Sequence, residues 1–278
     1  LLAGAVLISF SAVFVKLTAV APLVSGVYRC AVGGAVLWAW LAVKGERLNL
    51  AHRPWVTLLV ASLFFAADLG AWHRSIVLIG PGLSTLLANF QVFVLAFVGV
   101  VVFAERLRLA LLAAIPLAVV GLGLIVGFDL SALPALRREG VVLGLATAVF
   151  YSGYILALRR ARQLSPGTSA ASDLAVVSML TAVLLAIPAV MAGDSLAIPG
   201  VRDGVVLVAY GVVGQVLGWL LITSSLERVP AGLIGLILLL QPTLSFAWDM
   251  AFFSLPMTAL QGAGAVLAIV AIYVGARR

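Results

Sequence analysis

GPGLSTLLANFQVFVLAFVGVVVFAERLRLALLAAIPLAVVGLGLIVGF, residues Gly80 to Phe128, contains two apolar runs split by a charged clip, Glu105-Arg106-Leu107-Arg108. Each run, 82–104 and 107–128, is long enough to cross a bilayer core, which takes ~20 residues at ~1.5 Å rise each. The first run carries two amides, Asn89 and Gln91. An amide facing lipid would lose its hydrogen bonds, so at least one of them is expected to face protein or a wet cavity. The same plan returns toward the C-terminus. Pro230-Ala231-Gly232 opens a run holding Gln241, and a turn at Leu255-Pro256 leads into the last run. In that register Gly82, Leu83, Leu86, Gln91 and Phe103 fall on Gly232, Leu233, Leu236, Gln241 and Phe253. The recurring order of turn, amide-bearing span, turn and glycine-rich span reads as two halves of one duplicated unit.

Of the 278 residues, 64% are hydrophobic and only 10% are charged, too few charges to cover a soluble protein of this size. Repeated long apolar runs make the fold class an all-α polytopic membrane protein. The runs do not alternate apolar with polar residues, which excludes a transmembrane barrel. The single cysteine, Cys30, allows no internal disulfide. The net charge of +7 gathers at span ends, so it reads as membrane orientation, with no nucleic-acid partner.

Ten transmembrane helices are expected, over 1–20, 22–43, 55–78, 82–104, 107–128, 140–158, 169–191, 204–226, 231–253 and 257–276. Five spans per half is odd, so the halves must enter the membrane with inverted topology. The domain division is then 1–128 for the first five-helix repeat, 129–139 for a periplasmic connection and 140–278 for the second repeat. One side would carry Lys44, Arg47, Arg53, Arg106, Arg108, Arg159, Arg160, Arg162, Arg228, Arg277 and Arg278. The other has Arg137, Arg138 and Arg202 in its loops. That bias of eleven against three makes the first side cytoplasmic, with both termini inside.

The chain resembles the drug/metabolite transporter superfamily, in its ten-helix EamA-like branch. The residues behind this are Phe14-Val15-Lys16 at the end of the first span, with Pro22 and Arg29 early in the second. Ala71-Trp72-His73-Arg74-Ser75 stands where that family has an aromatic stretch, and Glu105 closes the fourth span. Gln241-Pro242 and Thr258-Ala259-Leu260-Gln261-Gly262-Ala263-Gly264 look like its ninth and tenth helices. Val92 departs from the proline usual in the fourth helix, and Leu255 from the glutamate that often ends the ninth. The Trp72-His73-Arg74 variant looks most like the YddG-type exporters. This implies export of amino acids, aromatic and other neutral ones, by a monomer in the bacterial inner membrane. A multidrug or metabolite exporter of the same fold is the alternative.

The intramembrane polar groups are few. A charge at the bilayer centre costs ~3 kcal/mol or more unless paired or hydrated. Asp68, Arg74 and Asp249 therefore read as coupling residues or as members of a structural ion pair, and Arg29 as structural. His73 and Asn89 each lie eight residues from the turn at Pro81. At ~1.5 Å per residue both sit ~12 Å from it, and could face each other at one level. An inverted repeat would set Gln215, Trp219, Thr223, Gln241 and Ser245 opposite them. The expected substrate-binding set is Trp72, His73, Asn89, Gln91, Tyr151, Tyr154, Gln215, Trp219, Gln241 and Ser245. A satisfied buried histidine is the competing reading of His73, and helix packing that of the aromatic residues. No enzyme is expected. An intramembrane hydrolase would need a Gly-x-Ser-Gly, His-Glu-x-x-His or aspartyl-protease context, and none occurs. No GxxxxGK[ST] occurs either, so a secondary transporter without cofactor or metal is expected.

Overall fold

A computed structural model describes residues 1–46, 54–103, 109–126, 133–164, 168–224, 238, 240–253 and 258–276. The described residues form helices throughout, with no strand. In chain order these are α1 (Leu2–Ser9), α2 (Ser11–Leu17), α3 (Pro22–Val43), α4 (Trp55–Ile79), α5 (Pro81–Ala88), α6 (Gln91–Phe103) and α7 (Leu109–Val126). The second half contains α8 (Ala135–Leu164), α9 (Ala170–Met191), α10 (Val201–Tyr210), a π-helical segment (Gly211–Gly218), α11 (Trp219–Thr223), α12 (Leu240–Phe253) and α13 (Ala259–Ala276). Five helical stretches, Pro22–Val43, Trp55–Ile79, Ala135–Leu164, Ala170–Met191 and Val201–Thr223, are long and apolar enough to cross a membrane.

Local chemistry sets the ends of these helices. Pro22 opens α3 and Pro81 opens α5, where a missing N–H costs nothing. Gly45 and Gly193 end α3 and α9 in the same way. Each takes positive φ (69° and 79°), and the next residue's N–H bonds five residues back, Glu46 to Leu41 and Asp194 to Ala189.

Four spans differ from the hydropathy reading. The first is broken at Phe10, where the Ser9 hydroxyl donates to the Val6 carbonyl at 2.6 Å. The fourth is broken at Asn89-Phe90, where the Asn89 side-chain amide donates to the Thr85 carbonyl at 2.8 Å. In both, a short polar side chain competes with the backbone for a carbonyl near the break. The eighth span runs through the π segment, which holds Gly211, Gly214 and Gly218. The sixth reaches from 135 to 164 and not 140 to 158, because helix continues past the apolar run into Arg137-Arg138 and Arg159-Arg160. Its 30 residues make about 45 Å, more than the ~30 Å hydrocarbon core. The charged clip Glu105–Arg108 and the start of the ninth span lie outside the described residues.

Between the halves, α3 packs on α9, α7 on α13 and α5 on α12; α4 packs along α8, and the π segment packs on α1 and α3. Large apolar side chains such as Trp38, Phe97, Val119, Val183 and Val205 are exposed, while Arg29, Asp68, His73, Asn89 and Gln215 are buried. This inside-out polarity fits a multi-pass membrane protein.

The α7–α13 contact is backbone on backbone. A Cβ on Gly121 would lie 2.7 Å from the Ala268 nitrogen, and one on Gly264 2.7 Å from the Gly121 carbonyl oxygen. Small residues are what let helices approach this closely in lipid. Gly121→Leu is expected to force the pair apart and lower stability by about 1–3 kcal/mol or more, read as a lower melting temperature. Val120→Leu, on the exposed face of the same helix, is the control and should melt like wild type.

Candidate substrate cavity

A pocket opens among the helices of the bundle. Helix periodicity explains which residues reach it. From α4 come Phe65, Asp68, Leu69 and Trp72, an i, i+3, i+4, i+7 stripe on one face. From α5 and its C-terminal cap come Thr85, Ala88 and Asn89, and from α8 Thr147 and Tyr151, again about one turn apart. Arg29 of α3, Ile8 of α1, Trp219 of α11 and Gln241 of α12 complete the wall.

Four aromatic residues, Phe65, Trp72, Tyr151 and Trp219, line the wall. Trp219 meets the rings of Phe65, Tyr151 and Tyr154 edge to face, at centroid distances of 5.9, 5.8 and 5.0 Å. Phe65 is backed by Tyr154, stacked at 4.3 Å. Four polar groups among the lining residues are buried without a hydrogen-bond partner: Trp72 Nε1, Trp219 Nε1, Thr85 Oγ1 and Gln241 Nε2. Leaving such a group unpaired costs ~1–3 kcal/mol. All four can donate.

The cavity also carries one residue of each charge. Arg29 is 2% exposed. Its Nε donates to Gln215 Oε1 at 3.0 Å and its Nη1 to the Tyr210 hydroxyl at 2.8 Å. The guanidinium carbon lies 5.6 Å from the Phe65 ring centre and 5.0 Å from that of Tyr210. Asp68 is 6% exposed. Among the described residues, the salt bridges are Arg74–Glu139 and Arg162–Asp173, so neither Arg29 nor Asp68 has an ionic partner within 4 Å.

Behind Arg29 a hydrogen-bond chain crosses three elements. Tyr210 OH lies 2.7 Å from His73 Nε2, and His73 Nδ1 lies 3.0 Å from the Pro22 carbonyl and 2.9 Å from Ser25 Oγ. A carbonyl can only accept, so Nδ1 carries the proton. Nε2 is then the acceptor for the Tyr210 O–H, whose oxygen accepts from Arg29. Gln215 is held similarly, its Nε2 donating to Ser178 Oγ at 2.9 Å.

The structure thus brings Trp72, Asn89, Tyr151, Trp219, Gln241 and Asp68 to one cavity. His73, Gln215 and Tyr154 stand one layer behind it. Gln91 is buried beside α8, its carbonyl accepting from Ser152 Oγ at 3.4 Å. Ser245 bonds the Ser9 carbonyl at 3.4 Å, away from the lining. Of the residues read as coupling or ion-pair members, Asp68 and Arg74 do not pair with each other. Arg74 reaches out of the bundle to Glu139 at 3.0 Å, with both side chains nearly half exposed. It sits near the end of α4, where a long side chain can extend toward water. The Asp249 side chain lies outside what the structure describes. Sequence reasoning missed Arg29, Thr85 and Thr147. The legible signal for Arg29 was its neighbours one turn away, Ser25, Gly26, Val32 and Gly33, none of them an acid that could neutralise it.

The sequence profile of the EamA-like transporter family matches residues 138–276, half of the chain. The chain belongs to the EamA-like transporter family. It is therefore a multi-pass membrane transporter of the drug/metabolite superfamily and not an enzyme. A solved crystal structure has the same fold, with a TM-score of 0.72 over 98% of this chain and 94% of that one, at 20% sequence identity. No curated protein matches the sequence.

Proposed function

We propose that this EamA-like transporter exports neutral amino acids, aromatic ones included, by alternating access around the cavity. The observation that carries this reading is the set of four unpartnered buried donors, Trp72, Trp219, Thr85 and Gln241, on the walls of one aromatic-lined cavity. A ligand with acceptor atoms at one end and an apolar body would satisfy both features. One cationic and one anionic side chain line the same space, so a ligand without net charge is favoured over a polycation or a sugar phosphate.

The transport mechanism rests on two inverted five-helix repeats, 1–128 and 140–278, joined through 129–139. Packing of the second, fourth and fifth spans on the seventh, ninth and tenth supports this, as do the matching glycine caps at Gly45 and Gly193. The contact of the third span with the sixth is answered by that of the eighth with the first. The helix breaks at Phe10 and Asn89-Phe90 are the hinges on which one repeat moves against the other.

Counterflow in proteoliposomes tests the cargo. Preloaded tryptophan, phenylalanine or leucine should drive uptake of labelled amino acid. Flux of a sugar phosphate or a lipophilic cation, with no amino-acid flux, would overturn the reading. Orientation is tested separately. With both termini cytoplasmic, in a bacterial inner membrane, Ser195→Cys in a Cys30→Ala background should label from outside and Glu46→Cys should not. The reverse pattern would invert the topology.

A further inference from the structure

We infer that Arg29 and Asp68 are the two poles of an α-amino-acid site, Arg29 receiving the carboxylate and Asp68 the ammonium group. The inference rests on the amino-acid cargo proposed above and assigns its two ends. A guanidinium and a carboxylate buried in one apolar bundle attract each other strongly, and direct pairing is the ordinary way to offset their desolvation. Here they line one cavity without pairing. The reason is visible in the hydrogen bonds. Gln215 takes Nε and Tyr210 takes Nη1, both from the second half of the chain, so the guanidinium is held by its other atoms. Among the described residues, its hydrogen bonds run from Nε and Nη1 and none from Nη2. Guanidinium suits a carboxylate because its donors form a fixed planar fork.

Further polar atoms line the same space and could bond either end of the ligand. Trp72 Nε1 and Thr85 Oγ1 are further buried donors without a partner. Asn89 spends its Nδ2 on the Thr85 carbonyl, so its Oδ1 can only accept, and Asn89 and Asp68 line the same cavity. Phe65, Leu69, Tyr151 and Trp219 line the rest and would face the side chain of the ligand. His73 is on this view a positioning residue. It fixes the Tyr210 hydroxyl, which fixes Arg29, and it does not touch the ligand.

Three ligands that share one ring test the poles: tryptophan, tryptamine, which lacks the carboxylate, and indole-3-propionate, which lacks the ammonium group. Binding is measured by competition against labelled tryptophan on the purified full-length transporter. Wild type should prefer tryptophan over both analogues by about ten- to a hundredfold, the value of one charge-assisted hydrogen bond. Arg29→Gln should erase the preference over tryptamine and keep the preference over indole-3-propionate. Asp68→Asn should do the opposite. Arg29→Lys keeps the charge without the fork. It guards against misfolding of the glutamine variant, and it should still prefer tryptophan to tryptamine. If both charge-removing variants weaken all three ligands by one common factor, the pole assignment is overturned while the amino-acid cargo stands. If wild type binds no amino acid at all, the cargo fails first and the poles with it.

Discussion

Trp219→Ala should melt well below wild type and lose transport. The indole is 2% exposed and is wedged among Phe65, Tyr151 and Tyr154, so its removal leaves a hole that three ring contacts cannot close. Truncating a buried tryptophan costs about 3–5 kcal/mol, the largest single stability effect expected here. Trp219→Phe separates packing from hydrogen bonding. It keeps an aromatic body, but removes the indole N–H, which has no protein partner, together with part of the ring volume. An N–H buried without a partner costs the fold, so its removal offsets part of the packing lost with the smaller ring. Trp219→Phe should therefore hold its melting temperature within a few degrees while weakening substrate binding by roughly five- to tenfold, one neutral hydrogen bond. Melting curves and counterflow on the same preparations check both. Unchanged binding in a well-folded Trp219→Phe protein would mean that its N–H does not meet the substrate.

The second large effect belongs to the His73–Tyr210 link. His73→Ala leaves the Tyr210 hydroxyl without an acceptor in a buried setting, and Tyr210→Phe leaves Nε2 and one Arg29 donor unpaired. Each change is expected to cost about 1–3 kcal/mol in stability and to reduce transport per folded molecule. The double variant should be far less damaging than the sum, because both singles break the same bond. A coupling of about 1–2 kcal/mol in the double-mutant cycle is the expected result. Additive losses would show that the two residues act apart. His73→Gln can accept from Tyr210 and donate to Pro22, so it should retain more transport than His73→Ala.

These effects also mark where sequence reading reached and where it stopped. Pro22–Val43 has the expected bounds to the residue, because proline opens it and Lys44-Gly45 closes it. The family profile covers residues 138–276, which agrees with the resemblance drawn from Gln241-Pro242 and the glycines after Thr258. The breaks at Phe10 and Asn89 were not legible, since no proline or glycine marks them. At each, Ser9 or Asn89 bonds back to a nearby carbonyl, as Ser62, Thr147 and Ser152 also do within unbroken helices. Counting residues from Pro81 gave depth but not rotation. Trp72 and His73 share a level, yet ~100° of helix separates them, so Trp72 faces the cavity and His73 faces Tyr210. Asn89 and Gln91 lie two residues apart, a spacing that points to nearly opposite sides of a helix, and the break between them interrupts the helix as well. Arg29 was read as structural because an arginine alone in a sequence does not reveal its partners. That role belongs in part to Gln215 and Tyr210, which lie far along the chain and reach it only in the folded bundle.

The claim that the substrate passes through this cavity is tested most directly by a thiol placed in its wall. Ala88 lines the cavity and is small, so Ala88→Cys in a Cys30→Ala background adds little bulk. Alkylation of that thiol by a small reagent should slow when tryptophan is present at saturation, while Ser195→Cys on the surface reacts at an unchanged rate. An alkylation rate at Ala88→Cys that is the same with and without tryptophan, in a protein that still exchanges tryptophan, would place the transport path elsewhere.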